Sequence, residues 1–349
     1  NVSGSAKASV LAALWISVLP ITALMSFLAL PDAPVVMFWA LAIWCLSELA
    51  KGRRGEWWLG VGLFCGLGLL SKYNTLFLGA GIVVWLIADA RFRFWLSNGW
   101  PWAGGMLAAL IFAPVIFWNF QHGWISFDFQ FGRIGRRELQ SPAATFAFWL
   151  GQALLLTPPV LVFLWGAVRR SSPGARSAGM DMLLLVTLPY LVFMVVYSVR
   201  DDVGITWLAP IYPALVAAAA STAGLWRRAN AVVALLRGST FPLAALVSLI
   251  LFADLSAPRN VLPIANPVAE ASRGWDGFAN DLSRLARAHG ARWLATTNYN
   301  LVGQLTYYGV DGLPVVQIDE RYRYSGFAGP TPETLTDPAL YVVEAARFR

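Results

Sequence analysis

The chain has 349 residues, of which 58% are hydrophobic and 13% are charged, and its mean hydropathy is +0.59. Soluble globular domains carry about 25% charged residues, so this composition excludes an ordinary soluble protein and indicates an integral membrane protein. The net charge of +7 is spread over many loops instead of one basic stripe, which argues against nucleic-acid binding.

Apolar runs follow one another from the N-terminus to about residue 251. A membrane-spanning helix needs roughly 20 mostly apolar residues. We predict about nine such helices, at residues 10–30, 35–50, 57–70, 75–88, 103–118, 145–168, 182–197, 205–225 and 232–251. In the third run, Gly62 and Gly66 have GxxxG spacing, which predicts close contact with a neighbouring helix.

Lys and Arg residues are concentrated in every second loop between these runs. Because cytoplasmic loops are rich in Lys and Arg, the pattern predicts a cytoplasmic N-terminus and an external end after the ninth helix. In a bacterium, this would be a multi-pass protein of the inner membrane with its external side in the periplasm.

From about residue 257, polar and charged residues return. The pattern predicts helices over 276–289 and 301–308 and strands over 292–296, 314–318 and 340–344, which together indicate a small α/β domain. We therefore divide the chain into a membrane domain, residues 1–256, and a periplasmic domain, residues 257–349. Since the sequence starts with Asn1 and stops just after the last predicted strand, we expect further sequence at both ends.

Four polar clusters lie between the apolar runs, and the helix count places all of them on the external side. The first contains Asp32 and the second contains Lys72, Tyr73 and Asn74. A carboxylate facing lipid costs about 3 kcal/mol, so we expect Asp32 to reach water, a cation or substrate; the alternative is a helix N-cap. The Lys72 ammonium suits a phosphate, and its alternative is snorkelling to the headgroups.

The third cluster is the longest external loop, residues 119–141. Its polar residues include Asn119, Gln121, His122, Arg133, Arg136 and Arg137. Aromatic and polar residues alternate over 124–131, which is typical of an amphipathic segment lying on a bilayer. The arginines suit a phosphate or a carboxylated sugar, whereas the alternative is a solvated loop. We expect His122 to form hydrogen bonds rather than bind a metal.

The fourth cluster contains Asp201 and Asp202, shortly before Trp207 and Tyr212. Adjacent carboxylates can hold a divalent metal or act as acid and base, and the alternative is an ordinary charged turn. Two prolines around Tyr212 should break the eighth helix near its external end, which is tolerated only beside protein or water. This break indicates a cavity on the external side.

Four stretches of the chain, in order, resemble the family 39 glycosyltransferases of the GT-C superfamily. They are residues 31–41, 69–73, 114–124 and 207–213, and a weaker likeness continues at 273–275 and 297–299. The branch in question is similar to bacterial protein mannosyltransferases and to the aminoarabinose transferase that modifies lipid A. The resemblance implies a polytopic helical GT-C fold and an inverting transferase. We predict no cofactor apart from the divalent metal that Asp201 and Asp202 could hold.

The same resemblance implies a polyprenyl-phosphate-linked sugar as donor and a periplasmic lipid A, glycan or protein as acceptor. The residues it implies for donor phosphate or substrate are Lys72, Tyr73, Asn119, Gln121, His122, Arg133, Arg136, Arg137, Trp207 and Tyr212. In such enzymes the catalytic base, a carboxylate, lies in the first external loop, which we expect in preceding sequence. Asp32 would then support catalysis, and we expect this chain alone to be inactive. The competing interpretation is a transporter or flippase, which should carry ionisable groups near the midplane and related halves.

Overall fold

A computed structural model describes residues 5–28, 30–52, 54–134, 140–169, 177–225, 230–259, 261, 267–319, 324 and 330–344. The chain divides into two compact units, Asn1–Ala253 and Asp254–Arg349.

The first unit is helical. Its helices are α1 (Ala6–Val18), α2 (Pro20–Phe27), α3 (Asp32–Gly52), α4 (Trp57–Ser71), α5 (Leu76–Ala88), α6 (Gly99–Gln121), α7 (Ile125–Ile134), α8 (Pro142–Leu156), α9 (Pro158–Arg169), α10 (Ala178–Tyr197), α11 (Tyr212–Leu225) and α12 (Ala231–Ser256), the last of which continues into the second unit. Every predicted apolar run overlaps one of these helices or two consecutive helices that are joined at a bend.

The number of spans depends on how the bent pairs are counted. In the part of the chain that the structure describes, α3, α6, α10 and α12 are each long and apolar enough to cross a membrane, and the total is six if each bent pair is one span. The helices α4, α5 and α11 are apolar but shorter. The fold is therefore that of a polytopic membrane protein. By length and composition the described residues contain four to six spans, and the shorter helices α4, α5 and α11 would bring the number to the predicted nine.

Two of the predicted runs are interrupted by proline, which corrects the expectation of continuous helices there. The pair α1 and α2 is bent by 48°, and the pair α8 and α9 by 95°. Pro20 has no N–H for the Ile16 carbonyl, which instead accepts a hydrogen bond of 2.6 Å from Thr22 Oγ1. At the second break, Thr157 precedes two prolines and has a φ of 68° and a ψ of 142°. This ψ is not helical, because proline disfavours the helical conformation of the preceding residue.

Small residues let α4 approach its neighbours closely. A Cβ atom on Gly62 would lie 2.1 Å from the carbonyl oxygen of Gly104 in α6, and one on Gly66 would lie 2.8 Å from Ile111. On another face of α4, Gly60 meets the buried Cys45 of α3. The close packing predicted from the GxxxG spacing is thus confirmed.

Helices α5 and α10 pack in antiparallel directions. The rings of Phe77 and Phe193 are 4.5 Å apart near one end, and a Cβ on Gly81 would meet the Val186 carbonyl at the middle. Just beyond the other end of α5, Arg91 Nη2 lies 2.5 Å from Asp181 Oδ2. This antiparallel packing determines which loops lie at the same end of the helix bundle.

The second unit contains α13 (Pro267–Ser272), α14 (Trp275–His289), β1 (Trp293–Thr296), α15 (Tyr299–Tyr308), β2 (Val315–Gln317), α16 (Pro332–Thr336) and β3 (Ala339–Val342). The strands form a parallel sheet in the order β2-β1-β3. The apolar side of α14 and residues of α15 cover a small core around the fully buried Leu294. The predicted small α/β domain is therefore confirmed.

Candidate functional site

An ion pair joins Asp32 and Lys72 at one end of the helical unit. Lys72 Nζ lies 2.7 Å from Asp32 Oδ1, and the exposed fractions of the two side chains are 28% and 4%. Asp32 begins α3, where the helix dipole favours a negative charge, and Lys72 adopts an extended conformation directly after α4. Because α3 and α4 are antiparallel neighbours, these two helix ends meet.

Trp207 lies over the same ammonium group. The distance from Lys72 Nζ to the ring centroid is 5.2 Å, within the range of a cation–π interaction. The Trp207 ring also stacks on Tyr197, the last residue of α10, with 6.0 Å between centroids. A short 3₁₀ turn containing Pro210 follows and leads into α11, so the predicted break in that helix is present.

A second polar group surrounds Tyr73, next to Lys72 in the chain. The Tyr73 hydroxyl is 3.0 Å from Ser126 Oγ, which donates a hydrogen bond of 2.6 Å to Asn119 Oδ1. Asn119 is fully buried, and its amide donates to the Val115 carbonyl. These bonds tie α7 to the end of α6 and bring two predicted site residues, Tyr73 and Asn119, together.

Helix α7 is the segment in which aromatic and polar residues alternate. It is amphipathic, as predicted, but its period is that of an α-helix. Phe127 packs 5.2 Å from the Tyr73 ring, while Trp124 and Phe131 expose 43% and 62% of their surface.

Several other predicted residues lie apart from the ion pair. His122 and Gln121 are exposed, and His122 stacks on Trp118 with 4.1 Å between centroids. In the described structure, neither bonds to Lys72 or Asp32. The side chain of Arg133 and all of Arg136 and Arg137 lie outside the described residues.

Tyr212 is buried and points toward α8, where its hydroxyl donates a hydrogen bond of 2.9 Å to Gln152 Oε1. Asp201 accepts a hydrogen bond from Tyr197 and also from the Asp202 amide at 2.8 Å. These are the contacts of a charged turn after α10. No group of three or more His, Cys, Asp or Glu side chains able to hold a metal occurs among the described residues.

The opposite end of the unit carries a separate charge network. Arg91 donates hydrogen bonds to Asp89, and its Nη2 also lies 2.5 Å from Asp181 Oδ2. Both carboxylates are buried. The hydrogen bonds to Asp89 raise the pKa of the Arg91 guanidinium above its ordinary value. The described structure therefore has two separate groups of charged side chains, one at each end of the helical unit.

Sequence reasoning missed two residues that organise the site. Tyr190, in the middle of the apolar α10, accepts a hydrogen bond of 3.0 Å from Asn74 Nδ2 and donates one of 2.6 Å to the Trp207 carbonyl. Ser126 connects Tyr73 to Asn119. The available signal was a tyrosine hydroxyl within an apolar run.

Residues 3–118 match the family model described as dolichyl-phosphate-mannose-protein mannosyltransferase. The predicted resemblance to GT-C glycosyltransferases is confirmed there. The matched segment contains Asp32, Lys72 and Tyr73. No curated protein and no solved structure matches the chain significantly. The matched segment is about a third of the chain. Together with the apolar helices, it supports a membrane glycosyltransferase of the GT-C type.

Proposed function

We propose that the protein transfers a sugar from a polyprenyl-phosphate donor to a lipid, glycan or protein acceptor, with inversion at the sugar carbon. The reaction site would be the bundle end that carries Lys72, on the periplasmic side of a bacterial inner membrane. The observation that carries this proposal is the Asp32–Lys72 pair, which lies within the segment that matches the mannosyltransferase family.

Lys72 has the properties required for the departing lipid phosphate. The Lys72 side chain is 28% exposed, so a phosphate could approach it from the bundle end. Transfer of the sugar leaves negative charge on the lipid phosphate, and a fixed cation stabilises this charge as it develops. The neighbouring Trp207 ring and Asp32 carboxylate hold the ammonium in place while no phosphate is bound.

The surroundings suit a long isoprenoid tail. Helix α6 exposes large apolar side chains along its length, among them Met106, Leu110 and Phe117, as expected for a surface in contact with lipid. The exposed Trp124 follows shortly after the end of α6. A donor whose tail runs along such a surface would present its phosphate at the bundle end.

Inversion requires a carboxylate that removes the proton of the acceptor. Asp32 is bonded to Lys72 and nearly buried, which suits a supporting role in fixing the ammonium. We therefore assign Asp32 to support and not to proton removal.

The second candidate, a lipid-linked substrate transporter, is favoured by the 95° break between α8 and α9, because transporters use broken helices. The ionic groups described in the helical unit lie at its two ends, whereas transport predicts ionisable groups near the midplane. We therefore prefer the transferase.

The test is sugar transfer in membranes that contain the full-length protein, supplied with a panel of radiolabelled polyprenyl-phosphate sugars and with membrane lipid, glycan and protein acceptors. We expect Lys72→Met to lower transfer by at least about 100-fold, the scale seen when one donor to a developing anion is removed. Lys51→Met is the matched control, since Lys51 lies at the other end of α3 and is 41% exposed. Transfer at the normal rate by Lys72→Met would refute the phosphate role, and movement of the lipid-linked sugar without transfer would favour the transporter.

A further inference from the structure

The hydroxyl of Tyr190 connects the chain segment that carries Lys72 with the segment that carries Trp207. On one side it accepts a hydrogen bond of 3.0 Å from Asn74, two residues after Lys72. On the other side it donates one of 2.6 Å to the carbonyl of Trp207, whose ring lies over Lys72 Nζ. One oxygen atom therefore sets the distance between the lysine segment and the tryptophan segment.

The Tyr190 ring is held on several sides. It is 98% buried, since its exposed fraction is 2%, and its centroid lies 5.2 Å from Phe77 and 5.8 Å from Trp39. Trp39 is two turns after Asp32 on α3. The ring thus packs against the helix that carries Asp32, and its hydroxyl bonds to the segments that carry the other two members of the cluster.

We infer that Tyr190 is a positioning residue that fixes the Lys72 ammonium for the lipid phosphate. The inference rests on the proposed function for its catalytic consequence, but the positioning itself is measurable without catalysis. Without the hydroxyl, the Trp207 carbonyl and the Asn74 amide lose a shared partner. The two segments then move apart, and the ammonium gains freedom to leave its place between Asp32 and Trp207.

The sequence allows a direct measurement of that freedom. Lys7, Lys51 and Lys72 are its only lysines, so labelling by an amine-selective reagent can be followed at each by mass spectrometry. We expect Tyr190→Phe to raise the labelling rate of Lys72 by about threefold to tenfold relative to Lys51, the range that corresponds to one net hydrogen bond. Thr187→Val is the control, because Thr187 is buried one turn earlier on α10 and its hydroxyl bonds only within that helix.

Transfer assays on the same variants test the catalytic consequence. We expect Tyr190→Phe to lower kcat by about tenfold or more, because small misplacements of a catalytic group are costly, and Thr187→Val to retain normal transfer. Asn74→Leu, which removes the other bond to the hydroxyl, should change Lys72 labelling in the same direction and keeps the test available if Tyr190→Phe does not fold. Unchanged labelling of Lys72 in both variants overturns the inference. Absence of transfer in the unsubstituted full-length protein would instead reject the proposed function and leave the labelling result to decide on Tyr190.

Discussion

The Asp32–Lys72 pair makes a quantitative prediction about stability. At 2.7 Å, the gross attraction of two unit charges is about 6 kcal/mol at an effective dielectric constant of about 20. Much of this is offset by the desolvation of Asp32, whose side chain is only 4% exposed. The measurable quantity is therefore the coupling between the two residues and not the attraction itself.

The perturbation is a double-mutant cycle of Asp32→Asn, Lys72→Met and both together. Lys72→Met leaves a buried carboxylate without its cation and should lower the free energy of unfolding by about 3 kcal/mol, the low end for a broken buried pair. Asp32→Asn leaves a lysine that can turn toward water, so about 1 kcal/mol is expected. The double variant should lose only about 2 kcal/mol, which gives a coupling of about 2 kcal/mol.

Reversible unfolding of the protein in mixed micelles measures all four corners of the cycle. We also expect a higher yield of folded protein for the double variant than for Lys72→Met alone, which would be independent evidence of the same coupling. If the effects of the two single substitutions are additive, with a coupling below about 0.5 kcal/mol, the two side chains do not pair. The supporting role assigned to Asp32 would then be wrong.

Two further predictions concern packing and the other bundle end. Gly62→Val should lower the free energy of unfolding by about 1–3 kcal/mol, because the new Cβ would lie 2.1 Å from the Gly104 carbonyl oxygen. The control is Gly105→Ala, whose Cβ meets nothing within 4 Å and which should change this free energy by no more than about 0.5 kcal/mol. Equal midpoints of thermal unfolding for the two variants would contradict the close approach of α4 and α6. Arg91→Met should cost about 3–5 kcal/mol because two buried carboxylates each lose an ion pair with Arg91. Arg93→Met, whose guanidinium is exposed and bonds to a backbone carbonyl, should cost less than about 1 kcal/mol, and similar losses in both variants would argue against the network.

The sequence by itself determined the class of the protein, the helical regions and the small α/β unit. Apolar runs are readable because a membrane imposes their length and composition on the chain. The period of α14 and the alternation of helix and strand are likewise local. The resemblance carried by residues around Asp32 and Lys72 also needed no coordinates, and the family match covers that segment.

Only the tertiary structure decided which side chains meet. Asp32 and Lys72 are 40 residues apart, and Trp207 reaches the same ammonium from a distant turn, because helix packing brings these ends together. The 95° bend at Thr157 and the bridging role of Tyr190 were equally inaccessible. A run of apolar residues indicates that a helix can cross the membrane. The contacts of a single hydroxyl, however, depend on which helices pack beside it.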